Sequence, residues 1–213
     1  MRQLNKQRHN KNSDIAVELI NTQLKKHLTT GNLLNALLFI AVVVLLFVPS
    51  AKAFLLRGLM KTGFFQPEVS SPIKPVQVPD INFRDAQGQT VTLSELKGKV
   101  VFINFWATWC PPCLAEMPAI NALHQKLSRN KNIVFLMADA DGSPERASLF
   151  LQNKQYNLPV YAATTAVPAN VSGGTIPTTV VLNKKGEMVY HHEGVADYTN
   201  DKFATYLQQL SAE

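Results

Sequence analysis

Val100-Val-Phe-Ile-Asn-Phe-Trp-Ala-Thr-Trp-Cys-Pro-Pro-Cys113 is the stretch on which the reading of this sequence turns. Its first part, Val100 to Phe105, is apolar apart from Asn104, the pattern of a central strand buried on both faces. Its second part is a short turn, after which a helix is expected from about Pro111 to Ser128, with Met117, Ile120, Leu123 and Leu127 on its inner face. Cys110 then stands at or just before a helix N-terminus, where unpaired backbone N–H groups and the positive end of the helix dipole stabilise an anion. The thiolate is the reactive form of cysteine, so this position activates Cys110 as a nucleophile. Cys113, one turn on, is placed to attack a mixed disulfide at Cys110. Pro111 and Pro112 suit the first helical turn, where a missing N–H is not needed. They also remove donors that would solvate the thiolate, which predicts a less depressed pKa and a more reducing couple than in strongly oxidising relatives.

Outward from that stretch, the rest of the composition narrows the chemistry. The chain holds two cysteines, three apart, too few for a disulfide scaffold or a zinc site. The five histidines, His9, His27, His124, His191 and His192, are scattered. His191 and His192 alternate across a strand and point to opposite faces, so no metal and no cofactor are expected. The formal net charge is +6, but it is unevenly placed. Residues 1–53 carry seven Lys/Arg against Asp14 and Glu18, while residues 54–213 carry 14 basic and 13 acidic groups. The larger part has no basic excess, and nucleic acid is not expected as a partner.

Residues 1–30 read as a basic cytoplasmic leader. Within it, Ile15, Leu19, Ile20, Leu24 and Leu28 follow a helical rhythm that suits either a short surface helix or a solvated leader. Leu33 to Val48 is almost unbroken apolar sequence without a charge, and 31–51 has the length of one transmembrane helix. The basic leader lies before it, which puts the C-terminal part outside the membrane. Ser50-Ala51-Lys52-Ala53 also offers a signal-peptidase-like Ala-x-Ala with cleavage at Ala53; both readings send the domain to the same compartment. Residues 52–75, with Phe54-Leu55-Leu56, Phe64-Phe65, Pro67, Pro72 and Pro75, read as a linker with apolar islands.

The folded domain is expected at 76–213. Asp85-Ala-Gln-Gly88 and Asn183-Lys-Lys-Gly186 read as hairpin turns, and Ile133 to Ala138 as a second buried strand. Pro144 to Gln155 reads as a helix with Ala147, Phe150 and Leu151 inward, and Asp197 or Thr199 caps a last helix through Leu210. Strands and helices alternate and a hairpin closes the domain, which gives an α/β sandwich around a mixed sheet.

The strand and turn around Cys110 and Cys113 resemble the active site of the thioredoxin superfamily. Leu114-Ala-Glu-Met-Pro118 looks like its TlpA/ResA-type branch of membrane-anchored thiol–disulfide oxidoreductases, and Gly174-Thr-Ile-Pro-Thr-Thr-Val-Val-Leu182 like the segment that carries its cis-proline. The likeness covers about residues 76–210. It implies a thioredoxin-like sandwich, a cis Ile176–Pro177 bond facing the cysteines, and pairing of an extended substrate with the backbone of Ile176. Thioredoxin's buried aspartate is replaced here by Asn104, which cannot act as a base. In the TlpA/ResA-type branch a glutamate stands three residues after the second cysteine, and Glu116 occupies that place. Cys113 and Glu116 share a helix face, so the carboxylate could take the Cys113 proton during resolution; the plain alternative is an acid favoured near a helix N-terminus.

The resulting expectation is a catalytic set of Cys110, Cys113, Glu116 and Pro177, with Trp109, Pro111, Pro112 and Ile176 contacting substrate. Trp106 is expected in the core, and Pro118 to kink its helix. The expected activity is reduction of protein disulfides in the periplasm, including those of cytochrome c apoproteins, by a monomer that draws electrons from a membrane thiol–disulfide transporter. A peroxiredoxin-like peroxidase and a copper chaperone-type redoxin are the alternatives. The first is disfavoured by Trp-Cys-x-x-Cys, the second by the two-residue spacer and the lack of a partnering histidine. Residues 139–175 carry no motif and are expected to set partner choice.

Overall fold

The computed structural model describes residues 30–60, 65–68 and 73–213. The expected amphipathic rhythm between Ser13 and Leu28 lies outside them, as do Phe64 and Pro72. The chain divides into two compact units, the first ending at Val48 and the second running from Pro49 to Glu213.

The first unit holds helix α1 (Thr30–Phe47), whose Leu34, Phe39 and Phe47 are exposed. The sequence leads one to expect a single helix through Ala51, but α1 stops at Phe47 and helix α2 (Pro49–Met60) begins after Val48. Proline lacks the N–H that would continue the ladder and turns the residue before it away from helical dihedrals, while it suits a first helical position. Among the described residues no single helix is long and apolar enough to cross a membrane; Gly31–Phe47 and Pro49–Met60 pass that test of length and composition together.

The second unit is a mixed eight-stranded sheet with helices packed against it. Its strands are β1 (Val76–Gln77), β2 (Asn82–Asp85), β3 (Thr90–Thr92), β4 (Val100–Trp106), β5 (Ile133–Asp139), β6 (Val160–Ala163), β7 (Thr178–Leu182) and β8 (Glu187–Glu193). They lie in the order β1-β8-β7-β4-β5-β6-β2-β3. β4 pairs parallel with β5 and antiparallel with β7, which makes it the middle of the sheet. All seven of its residues are buried, the six apolar ones as a central strand requires and the polar Asn104 with them. Its side chains alternate between two cores. Val100, Phe102 and Trp106 join a cluster with α2, α3 (Pro111–Leu127), α4 (Pro144–Asn153) and α6 (Asp201–Ala212). Val101, Ile103 and Phe105 join another with Ile81, Phe83, Leu93, Leu96 and Val171 of the short helix α5 (Ala169–Ser172).

The two hairpins form where their turn residues put them. Asp85 Oδ1 accepts from the N–H groups of Gln87 and Gln89, and Asn183 Oδ1 accepts from those of Lys185 and Glu187. Gly88 and Gly186 supply the positive φ, 82° and 80°. The last helix is capped later than expected: Asn200 accepts from Lys202 N–H, while Asp197 instead closes a turn on Thr199. Residues 52–75 are not an extended connection throughout. α2 packs on α3, with Ala53 and Met60 buried. Further along, Phe65 O accepts from Asp197 N–H and Gln66 Oε1 from Asn200 Nδ2.

Candidate active site

β4 delivers the chain through Trp106 to the head of α3, where Cys110 is the N-cap with extended dihedrals (φ −84°, ψ 106°). Pro111 and Pro112 occupy the first two helical positions and have no N–H to offer. The first helical donor is therefore Cys113 N–H, and it points at Cys110 Sγ over 3.2 Å. Cys110 and Cys113 are joined as a disulfide. Cys113 is fully buried and Cys110 is 3% exposed.

Opposite the sulfurs runs the Ser172–Pro177 loop. The Ile176–Pro177 bond is cis, and Ile176 O lies 3.8 Å from Cys110 Sγ. Trp109 stands beside the pair, 59% exposed, with its indole N–H between the two carboxylate oxygens of Asp141 at 3.1 Å each. Trp106, two strand positions after Asn104, is wholly buried, in agreement with its expected core place. Pro118 is accommodated within α3, which continues to Leu127.

Beneath the disulfide lies a polar cluster inside the apolar core. Glu116 is fully buried one turn beyond Cys113. Its Oε1 accepts from Asn104 Nδ2 at 2.7 Å and its Oε2 from Ala196 N–H at 3.1 Å. Asn104 Nδ2 also donates to Thr179 Oγ1 at 3.0 Å. Burial pushes the Glu116 carboxyl up to about 8, and the donors Ala196 N–H and Asn104 only partly oppose this. The carboxyl is thus mostly neutral at pH 7. Burial likewise raises the Tyr198 hydroxyl well above its ordinary value, with the Glu116 charge adding to it.

A cleft of about 530 Å³ opens between Trp109 and the Ser172–Ile176 loop, floored by Phe105 and Ala138 and bordered by Asp139 and Asp141. Burial raises the Asp139 carboxyl and Asp141 adds to this, while Ser143 N–H opposes it. The cleft is built largely from residues 139–175, in which β6 and α5 had no sequence expectation. Trp109 and Ile176 line it; Pro111 and Pro112 do not.

Residues 74–210 match the Redoxin family. The chain belongs to the redoxin family. This redoxin is 33% identical over 180 residues to the thiol-disulfide oxidoreductase ResA of Bacillus cereus strain ZK / E33L, covering 83% of this chain and 98% of that one. It is 28% identical over 208 residues to the protein of the same name from Oceanobacillus iheyensis, covering 94% and 98%. Among solved structures it is similar to a secreted thiol-disulfide isomerase from Corynebacterium glutamicum, with a TM-score of 0.54, 23% identity and 70% and 97% coverage; this likeness speaks to the fold alone. The redoxin is therefore a thiol–disulfide oxidoreductase of the ResA type on a thioredoxin-like α/β scaffold.

The structure brings Cys110, Cys113, Glu116 and Pro177 to one end of β4 and α3, together with polar partners that the sequence does not announce. Asn104, which is not expected to act as a base, donates to Glu116 Oε1. Ala196 N–H approaches from 80 residues away, a main-chain donor that no residue type announces. Asp141, which grips Trp109, lies in a stretch without any motif.

Proposed function

We propose that this redoxin reduces disulfides of proteins outside the cytoplasm, cytochrome c apoproteins among them, and works as a monomer. Cys110 thiolate attacks one sulfur of a substrate disulfide and expels the other as a thiolate that takes a proton from solvent. Cys113 then attacks Cys110 Sγ, releases the second substrate thiol and closes the enzyme disulfide. Two electrons pass to the substrate in each cycle, and a membrane thiol–disulfide transporter returns them. Glu116 in its ionised form accepts the Cys113 proton, and its raised pKa supports this: a carboxylate with a pKa of about 8 takes a proton from a thiol readily, and its ionised fraction grows as pH rises toward that value. The cis loop supports docking, since Ile176 O faces the sulfur where an extended substrate would lie. Residues 31–51 anchor the chain, with residues 1–30 in the cytoplasm and the catalytic domain in the periplasm; the uncharged apolar helix that ends at Phe47 supports this.

The observation that carries this reading is a closed Cys110–Cys113 pair at a helix head with a buried, nearly neutral carboxyl one turn beyond it. Trapping tests it. A Cys113→Ala variant should accumulate mixed disulfides between Cys110 and extracytoplasmic proteins, resolvable on non-reducing gels and identifiable by mass spectrometry. A variant that captures no such protein would sink the reductase reading.

A further inference from the structure

Helix α2 (Pro49–Met60) is apolar on two opposite faces. One face carries Ala53, Leu56 and Met60 into the core beside α3. The other carries Phe54, Leu55 and Leu59, which are 76%, 52% and 49% exposed. At about 100° per residue these three and Gly58 form one stripe centred opposite Ala53 and Met60. Scattered exposed apolar side chains are ordinary, but a contiguous stripe with a phenylalanine at its edge marks an interaction surface.

Chain continuity says what covers it. α2 is separated by Val48 alone from Phe47, the last residue of the uncharged apolar helix α1, and one residue spans at most about 3.6 Å. A helix that starts so close to the end of a membrane-embedded segment begins at headgroup level. α1 and α2 together have the length and composition of a broken span, but the inner face of α2 is occupied by the folded domain, which keeps α2 out of the acyl core. Lying along the surface leaves the outer stripe against the acyl–headgroup boundary and lets the exposed Lys52 reach phosphate, the arrangement of an interfacial helix. We propose that the Phe54–Leu55–Leu59 face of α2 is seated in the interfacial layer of the lipid bilayer. This rests on the anchoring role given to α1 under Proposed function. Because α2 packs on α3, the seat fixes the height and tilt of the helix that carries Cys110 and Cys113 relative to the membrane. A membrane-borne electron donor would then meet the disulfide in a set orientation.

The test uses the full chain in vesicles of phosphatidylcholine and phosphatidylglycerol, with Phe54→Trp and, as a second variant, Leu59→Trp. Each is compared with the parent in vesicles with and without phospholipid brominated near the headgroup end of its chains. The expected result is that the emission added by the new tryptophan is quenched roughly twofold, as for a side chain about 5–10 Å into the boundary. Insulin reduction at the parental rate establishes that each variant is folded. Flotation separates the two readings. A chain that does not float with the vesicles removes the anchor and this inference together. A chain that floats with both tryptophans unquenched keeps the anchor and overturns the inference. If, in addition, the reconstituted chain is dimeric and Leu55→Glu separates it, the stripe is a contact between copies and the lipid seat is overturned.

Discussion

Glu116 is buried beside Asn104, Thr179 and the Ala196 amide, and its carboxyl prefers to be neutral in the folded chain. In the unfolded chain it ionises near 4.5 and in the folded one near 8. Between those values the folded state holds a proton that the unfolded state has released, so stability falls as pH rises through this window and levels off above it. We expect the stability of the oxidised wild type, followed by denaturant unfolding, to drop by a few kcal/mol between pH 5 and 9. Glu116→Gln should remove that slope. The same variant should flatten the pH dependence of Cys113-dependent resolution of a mixed disulfide, measured by stopped flow. An unchanged profile would leave Glu116 a structural residue. This residue also marks a limit of sequence reading. Its spacing from Cys113 was legible because a helix face is periodic, but its burial was not, because the donor from Ala196 depends on how the loop after β8 closes over α3.

Among the elements, the segment leading to the Ile176–Pro177 bond is closely packed at Gly173. Gly173 has φ +70°, and a Cβ placed there would lie 2.7 Å from Thr178 Oγ1 and 3.0 Å from Glu193 Cδ. Thr178 Oγ1 is itself committed to Thr175 O at 2.7 Å. Gly173→Ala should therefore displace the loop that faces Cys110. A stability loss of about 1–3 kcal/mol is expected in chemical denaturation, from the left-handed backbone and the overpacking together. A fall in insulin-reduction rate at unchanged Cys110 alkylation rate would place the defect in docking rather than in thiol reactivity. β4, α3 and the two hairpins could be read from residue patterns because each is specified locally, by an apolar run, a helical period or an Asn/Asp–Gly turn. β6 and α5 could not. Val160–Ala163 is a four-residue strand whose partners, β5 and β2, are remote in sequence, and α5 is a single turn.

At the scale of the whole molecule, the second unit extends further toward the N-terminus than composition suggested. Phe54-Leu55-Leu56 reads in sequence as an apolar island in a connection, whereas in the structure Phe54 and Leu55 are exposed and Ala53, Leu56 and Met60 pack into the core beside α3. Met60 is 3% exposed, so Met60→Ala should destabilise the catalytic domain by about 2–5 kcal/mol. Unfolding monitored at the buried Trp106 would detect this, and an unchanged midpoint would show α2 to be dispensable to the fold.

In the oxidised form the attackable sulfur is almost completely screened, with Cys110 3% exposed between Trp109 and the Ile176 carbonyl. A thiol fixed on the rigid face of a globular protein cannot approach it; one on a pliant, threaded segment can. Steric admission of this kind acts on the thiol that re-reduces the enzyme, so the return of electrons to the Cys110–Cys113 pair is governed by the shape a donor can present as well as by its redox potential.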